Sequence, residues 1–236
     1  MALLSTPGCG AGGSESTLLV FAAASLSDAF EELGEAFETA HPGMDVDFSF
    51  GSSAGLAQQV LDGAPADVFA SADVSHVVEI VDAGTGQEVV PFARNRLVLA
   101  VPRGNPGRVS SLADVTDEAL LVGVCAPHVP CGRAARSLFA SVGVAASVDT
   151  EEIDARSLLS KLAAGELDVG LAYRTDVQAA GGTVDVIDVT AGDGEITYAA
   201  TVVIHPRPAA TADRFVAFIG GTAGQSILRR HGFLTP

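Results

Sequence analysis

The chain has 236 residues, of which 48% are hydrophobic and 18% are charged, a composition typical of a globular protein with a sizeable core. Its formal net charge of −16 argues against nucleic acid or anionic lipid as a partner, because both bind to basic surfaces. No apolar run in the sequence reaches the roughly 18 residues that a membrane-spanning helix needs.

Residues 1–16 are interpreted as a signal remnant and flexible tether rather than as part of the fold. Small residues precede Cys9 and a Gly/Ser-rich segment follows it, as in bacterial lipoprotein signals. The basic start and the long apolar segment of such signals are missing, so a plain flexible tail is the alternative. We predict a periplasmic or cell-surface protein, with Cys9 as the candidate site of lipid attachment.

The fold begins with a strand over Leu18–Phe21, which runs through small residues to Ser25. Ser25 is predicted to open a helix, with Asp28 completing a capping box. Apolar residues at helical spacing over Leu26–Phe37 support that helix. A strand that turns through small residues into a helix N-terminus forms an anion cradle, because the free backbone N–H groups point at one place.

Strand and helix signals alternate along the rest of the chain, which predicts an α/β fold with largely parallel sheets. The predicted strands lie at 46–50, 68–70, 97–101, 120–124, 169–173, 184–189 and 196–204. The predicted helices lie near 56–61, 74–81, 112–115, 132–141, 155–163, 175–180, 212–219 and 223–230. The chain is expected to form two lobes, residues 17–95 with 201–236 and residues 96–200, joined by two crossing strands with a binding cleft between them.

Two cysteines, Cys125 and Cys131, flank a short Pro-rich loop that contains His128. In an exported protein, two nearby cysteines favour a disulfide. Free buried thiols, a metal site with His128, or a Cys/His catalytic pair are the alternatives. We interpret the pair as a candidate disulfide.

Several turns at the ends of strands could line the cleft between the lobes. They carry Ser25, Ser53, Cys131, Ala155 and Tyr173. Each has an ordinary structural explanation when taken alone: a serine caps a helix, a tyrosine packs at a strand end, and a cysteine pairs in a disulfide. Their order along the chain and their context carry the argument.

The motifs at these turns are similar to those of the periplasmic molybdate-binding proteins of ABC importers. The similarity covers about residues 17–236, and the Ala-Ala-Ala-Ser and Gly-Ala-Pro-Ala-Asp segments together are specific to that family. The motifs are Phe21-Ala-Ala-Ala-Ser25-Leu, Phe50-Gly-Ser-Ser53, Gly63-Ala-Pro-Ala-Asp67-Val-Phe-Ala-Ser71-Ala-Asp73, His128-Val-Pro-Cys-Gly132 and Gly170-Leu-Ala-Tyr173.

The resemblance implies a two-lobed, type II periplasmic-binding-protein fold that binds molybdate or tungstate by hydrogen bonds, without a cofactor or a directly bound metal cation. It assigns anion contacts to the hydroxyls of Ser25, Ser53 and Tyr173 and to the backbone of Cys131 and Ala155. The latter two depart from a well-known member, which has Ala and Val there. A disulfide from Cys125 would then lie beside the pocket. The implied partner is the membrane permease of an ABC importer, and the protein is expected to be a monomer that binds no nucleic acid.

Other functions are less well supported by the residues. A receptor for sulfate or another tetrahedral oxyanion would use the same kind of site, so the sequence leaves it open. An enzyme is not expected, because the chain contains no recognisable hydrolase, nucleotide or zinc-protease motif. A regulator's effector domain would need a basic DNA-binding segment before Leu18, and a ferric-ion receptor would need an adjacent tyrosine pair.

Overall fold

The computed structural model describes residues 16–127, 130–189, 195–204 and 209–236. Within these residues, nine strands form one continuous sheet with helices on both faces. The strands are β1 Ser16–Ala23, β2 Met44–Gly51, β3 Val68–Ser71, β4 Val90–Pro102, β5 Val122–Cys125, β6 Val148–Glu152, β7 Val169–Tyr173, β8 Val184–Asp188 and β9 Glu195–Val202. The helices are α1 Ser27–Ala40, α2 Ser53–Leu61, α3 Val74–Asp82, α4 Pro130–Val142, α5 Ala155–Ala164, α6 Arg174–Ala179, α7 Ala210–Gly220 and α8 Thr222–Arg230, with short 3-10 helices at Ala24–Leu26 and Leu112–Thr116.

The sheet has the strand order β2-β1-β3-β9-β4-β7-β5-β6, and β8 also pairs with β4. Strand β1 is parallel to β2 and β3, and β5 is parallel to β6 and β7. The central strands β4 and β9 are antiparallel to each other and to their neighbours. The expectation of largely parallel sheets is therefore right for the two arms and wrong for the centre, where the chain returns between lobes.

The long strand β4 belongs to both arms of the sheet. Its residues Val90–Arg96 pair with β9, whereas Leu97–Pro102 pair with β7 and β8. Strand β9 also pairs with β3. The α/β fold with two halves joined by two crossing strands is thus confirmed. We call the half around β1–β3 and β9 the first lobe and the half around β5–β8 the second lobe; the residue boundaries given above stay a prediction.

Each lobe buries apolar side chains on both faces of its sheet. In the first lobe, α1 and α7 contribute a group of mutually packed rings that includes Phe30, Phe37 and Phe215. Helices α2 and α3 cover the opposite face. In the second lobe, neighbouring residues Val98 and Leu99 of β4 enter different clusters, because successive side chains of a strand point to opposite faces. Helices therefore cover both faces of the sheet in each lobe. The ends of the strands stay available to form a site.

Strand β6 is missing from the sequence-based expectation. Val148 is its one apolar residue, and Glu152 is its one buried residue. Such an edge strand gives a weak hydrophobic signal, although β6 pairs with β5 along its length. No helix in the described parts of the chain is both long and apolar enough to cross a membrane.

Candidate functional site

Ser25 lies in the 3-10 turn between β1 and α1, with its side chain exposed. Its Oγ is 3.1 Å from the hydroxyl of Tyr198, which lies 173 positions further along the chain. The predicted capping box of Ser25 and Asp28 is wrong, because α1 begins only at Ser27 and no side chain caps either helical segment. The 3-10 turn displaces the start of α1 past Ser25. The Ser25 hydroxyl therefore does not cap the helix, and it contacts Tyr198 instead.

Ser53 opens α2, directly after Ser52, whose side chain accepts from the Gly55 N–H and caps the helix. The Oγ of Ser53 is half-buried and accepts a hydrogen bond of 3.1 Å from the backbone N–H of Ala72, just past the end of β3. A hydroxyl carries one proton and two lone pairs. The Ser53 hydroxyl therefore keeps its proton free for another acceptor.

In the second lobe, Cys131, Ala155 and Tyr173 belong to one apolar cluster. Cys131 is buried in the first turn of α4, and Ala155 is the first residue of α5. The carboxylate of Asp154 caps α5 by accepting 2.7 Å from the Ser157 N–H. The remaining N–H groups of such a first turn have no partner within the helix and point outward.

Tyr173 ends β7 and occupies the N-cap position of α6. Its side chain is half-buried, and this burial raises the pKa of its hydroxyl far above the ordinary value. The nearby hydroxyl of Tyr198 and the carboxyl of Asp176 act in the same direction. Tyr173 therefore keeps its proton at any physiological pH and remains a neutral hydrogen-bond donor.

The loop after β5 folds back onto the start of α4. A Cβ at Gly132 would collide with the backbone carbonyl oxygens of Cys125 and Ala126, so only glycine fits. Cys125 and Cys131 are brought together in the same loop, with Cα atoms 5.7 Å apart, within the range that a disulfide spans. The candidate residues Cys9 and His128 lie outside the described residues.

Tyr198 relates two of the candidate residues. Its hydroxyl contacts the Ser25 Oγ and also contributes to the raised pKa of Tyr173, as does the carboxyl of Asp73 in the first lobe. Asp73 follows Ala72, whose backbone N–H donates to Ser53. The region around Tyr198 is therefore the candidate site, and a shared site for all three hydroxyls stays a prediction.

A cavity of about 870 Å³ opens beside this region, between the start of α1 and helices α5 and α6. Ser25 lines it, whereas Ser53, Cys131, Ala155 and Tyr173 are not among its lining residues. Charged residues that the sequence reasoning had not nominated also line it: Asp28, Arg156, Asp176, Arg230 and His231.

Arg230 and His231 of the cavity already have a partner. Glu32 forms an ion pair with Arg230, and its Oε2 is 2.7 Å from the His231 Nε2. Burial raises the pKa of Asp176 to about 6, and its Oδ2 has no hydrogen-bond partner among the described residues. Arg156 follows Ala155 directly and is exposed. The cavity is therefore mixed in charge and not a basic pocket.

Residues 18–234 match the family described as bacterial extracellular solute-binding protein. The molybdate-binding protein ModA of Mycobacterium tuberculosis strain H37Rv is 37% identical to the chain over 222 residues, covering 93% of this chain and 85% of that one. The chain belongs to the ModA family of bacterial extracellular solute-binding proteins. The family resemblance predicted from the sequence motifs is confirmed.

Solved structures agree with the ModA-family fold. A substrate-binding domain from Clostridium difficile superimposes with a TM-score of 0.84 at 23% identity, covering 94% of this chain and 99% of that one. The sulfate-binding protein SubI of Mycobacterium tuberculosis gives a TM-score of 0.74 at 19% identity, covering 92% and 86%. At such identities these likenesses support the two-lobed fold alone.

Two functional candidates were missed at the sequence level, Asn95 and Tyr198. Both are fully buried on the crossing strands β4 and β9. Asn95 lies between two arginines in a strand that is otherwise mostly apolar, and this interruption was the available signal. Within the described residues, no group of three or more His, Cys, Asp or Glu side chains is arranged to hold a metal ion.

Proposed function

We propose that this protein captures molybdate, and tungstate with it, in the cleft between its lobes and delivers it to the permease of an ABC importer. The observation that carries the proposal is the 37% identity to a molybdate-binding protein over nearly the whole chain. The residues proposed to contact the anion are Ser25, Ser53 and Tyr173 through their hydroxyls, and Cys131 and Ala155 through their backbone N–H groups.

The chemistry of the proposed donor set suits a tetrahedral dianion. Such an anion offers only acceptor oxygens, so it is tolerated out of water when each oxygen receives hydrogen bonds. The hydroxyl of Tyr173 keeps its proton, and that of Ser53 accepts from a backbone donor and so has its own proton to donate. None of the proposed donors is charged. A net charge of −16 repels anions at long range, so affinity must come from contacts inside the cleft.

Sulfate is the alternative ligand, because it has the same charge and shape. Its bonds are shorter, so fixed donors that reach a larger anion would be stretched toward sulfate. The similarity to a sulfate-binding protein is at 19% identity and supports the fold only. We therefore expect sulfate to bind much more weakly than molybdate.

A thermal-shift and calorimetric titration with molybdate, tungstate and sulfate tests the proposal. A bound anion stabilises the folded state in proportion to the logarithm of its concentration over its Kd. Molybdate and tungstate should raise the melting temperature at micromolar concentrations, and sulfate should not. An equal response to sulfate, or no response to any of the three anions, would contradict the proposed function.

We further propose that the lobes close on the anion about the hinge strands β4 and β9, and that the two lobes have the boundaries predicted above. Residues Asn95–Leu97 are where β4 passes from pairing with β9 to pairing with β7. Small-angle scattering should show a smaller radius of gyration with molybdate than without it. Identical scattering profiles would argue against closure.

The proposed location of the protein outside the cytoplasm bears on the state of its cysteines. The family description is extracellular, which favours an oxidised Cys125–Cys131 pair that stiffens the loop before α4. Cys9 is proposed to carry the lipid that tethers a monomeric receptor to the membrane, and no catalytic role is assigned to Cys125, Cys131 or His128. Thiol-reactive probes should label neither cysteine of the pair before reduction. Labelling of unreduced protein would oppose the disulfide.

A further inference from the structure

A buried chain of polar groups runs through the hinge to Ser25. Tyr198 on β9 and Asn95 on β4 are both 0% exposed. The Tyr198 hydroxyl is 3.1 Å from the Ser25 Oγ, and the Asn95 Nδ2 is 3.5 Å from the Tyr198 hydroxyl. Asn95 Nδ2 also donates to the Thr175 Oγ1 at 2.9 Å. These hydrogen-bonded side chains connect both crossing strands, and α6 of the second lobe, to the candidate site.

The direction of the hydrogen bonds in this chain follows from Asn95. Its Oδ1 accepts from the backbone N–H of Arg96 at 2.9 Å, and this contact fixes which end of the amide faces the strand. The Nδ2 end, which can only donate, therefore faces Tyr198 and Thr175. The Tyr198 oxygen accepts on that side, and its single proton is left for Ser25.

The consequence for Ser25 is a choice between its two hydrogen-bonding roles. A serine hydroxyl that accepts from Tyr198 has its own proton free to point elsewhere. Because Ser25 is exposed, that proton is available to an anion bound in the cleft between the lobes. An anion with only acceptor oxygens needs a proton presented to it, so this orientation is the productive one.

We propose that Asn95 and Tyr198 are positioning residues that orient the Ser25 hydroxyl as a hydrogen-bond donor to the bound oxyanion. Asn95 donates to Tyr198, Tyr198 donates to Ser25, and Ser25 donates to the anion. Hydrogen bonds aligned head to tail in a buried environment polarise and strengthen one another. We call this chain the donor relay.

The burial of Tyr198 is a second observation that supports the donor relay. Removal from water raises the pKa of its hydroxyl well above the ordinary value. The nearby carboxyl of Asp176 acts in the same direction. The Tyr198 hydroxyl therefore stays neutral, as a group that passes on a hydrogen bond must.

The donor relay rests on the proposed function, and a double-mutant cycle separates the two. Molybdate affinity is measured by calorimetry for the wild type, Ser25→Ala, Tyr198→Phe and the double variant. Tyr198→Phe should weaken binding about fivefold to tenfold in the wild-type background, the usual size of one lost hydrogen bond. In the Ser25→Ala background the same change should cost less than about twofold, because the donor that Tyr198 orients is gone.

Each outcome of the cycle decides one question. If Tyr198→Phe costs the same factor in both backgrounds, Tyr198 acts independently of Ser25 and the donor relay is wrong. If Tyr198→Phe has wild-type affinity, the relay is also wrong. If wild-type protein binds none of the oxyanions, the proposed function fails, and the donor relay, which rests on it, fails with it.

A second variant tests the direction of the donor relay. Asn95→Asp keeps the shape but replaces the donating NH₂ with an acceptor, so Tyr198 would donate to residue 95 and Ser25 would have to donate to Tyr198. We expect this change to weaken molybdate binding by more than about tenfold. The matched control is Thr175→Val, which removes the other partner of Asn95 without interrupting the relay and should change affinity less than about twofold. Equal effects of the two variants would overturn the proposed direction.

The electrostatic effect of Asn95→Asp is controlled in the Ser25→Ala background. A new carboxylate would repel the anion whether or not Ser25 is present, whereas loss of the relay matters only when it is. The excess loss in the wild-type background therefore measures the relay. A loss of the same factor in both backgrounds would assign the effect to charge and contradict the proposal.

Discussion

The hydrogen-bond donors that we propose in the two lobes differ in kind. The first lobe presents side-chain hydroxyls, and each is held by a specific partner: Ser25 by Tyr198 and Ser53 by the Ala72 N–H. The second lobe presents the first turns of α4 and α5, where Cys131 and Ala155 would use backbone N–H groups. Tyr173 is the exception in the second lobe, with a hydroxyl of its own.

The proposed donor set predicts which substitutions the site tolerates. A hydroxyl is lost in most substitutions, so binding by the first lobe should depend on residue identity. A backbone N–H persists in every residue except proline, so the second lobe depends on the path of the chain. A well-known member of the family has Ala and Val where this chain has Cys131 and Ala155. These two differences fall in the second lobe, where the proposed donors are backbone N–H groups.

The largest effect is expected where the second lobe depends on its backbone. Gly132→Ala would place a Cβ against two carbonyl oxygens and displace the start of α4. We expect a loss of molybdate affinity of at least about a hundredfold and a fall in the free energy of unfolding of about 3 kcal/mol. Calorimetry and urea unfolding measure the two effects.

The matched control for Gly132→Ala is Gly220→Ala at the end of α7, where a Cβ would meet no atom within 4 Å. It should change neither quantity appreciably. Wild-type affinity in Gly132→Ala would show that the path of this loop does not matter for binding.

The next effect concerns the hydroxyls. Ser25→Ala and Tyr173→Phe each remove one donor to the anion, and each should cost about 1–3 kcal/mol of binding free energy. Isothermal titration with molybdate measures the loss, and unliganded melting curves control for folding. Full affinity in both variants would remove these residues from the proposed donor set.

The third effect is a pH dependence on the second-lobe side of the cavity. The pKa of Asp176 in the folded protein is about 6, above the ordinary value of 3.8. Between these values the unfolded chain loses its proton first, so the contribution of Asp176 to the free energy of unfolding falls as pH rises from about 4 to about 6. Asp176→Asn should therefore stabilise the protein by about 2 kcal/mol more at pH 7 than at pH 4.

Urea unfolding at the two pH values measures this difference. A gain for Asp176→Asn that is equal at pH 4 and pH 7 would contradict the raised pKa.

The smallest effect is expected for a side-chain change at a proposed backbone donor of the second lobe. Ala155→Val changes the side chain at the start of α5 and keeps its backbone N–H. Molybdate affinity should stay within about threefold of wild type, because the helix N-terminus still donates to the anion. A loss as large as that of Ser25→Ala would show that the second lobe also depends on residue identity.

Much of the fold was predictable from local patterns. The start of α5 at Ala155 after the capping Asp154 and the strand over Val169–Tyr173 were predicted as the structure has them. Helical spacing and Gly or Asp at helix ends are local signals, so they can be read without the fold. The antiparallel centre was not predicted, because strand direction depends on which distant strands meet.

The site was predictable as a set of positions but not in its supporting contacts. The Ser25 capping box failed because a partner 173 residues away uses the hydroxyl instead. The polar interruption at Asn95 marks the residue but not its partner, and Tyr198 has no such signal, since the role of both appears only when β4 and β9 lie side by side. Long-range polar contacts of this kind leave almost no trace in local sequence.

We propose that uncharged donors from both lobes hold the anion. A crystal structure of the protein with bound molybdate would show these donors. We expect an anion oxygen within hydrogen-bond distance of the hydroxyls of Ser25 and Tyr173, with no arginine or lysine nitrogen in contact. A molybdate bound by Arg156 inside the cavity, with the Ser25 and Tyr173 hydroxyls unused, would refute the proposal.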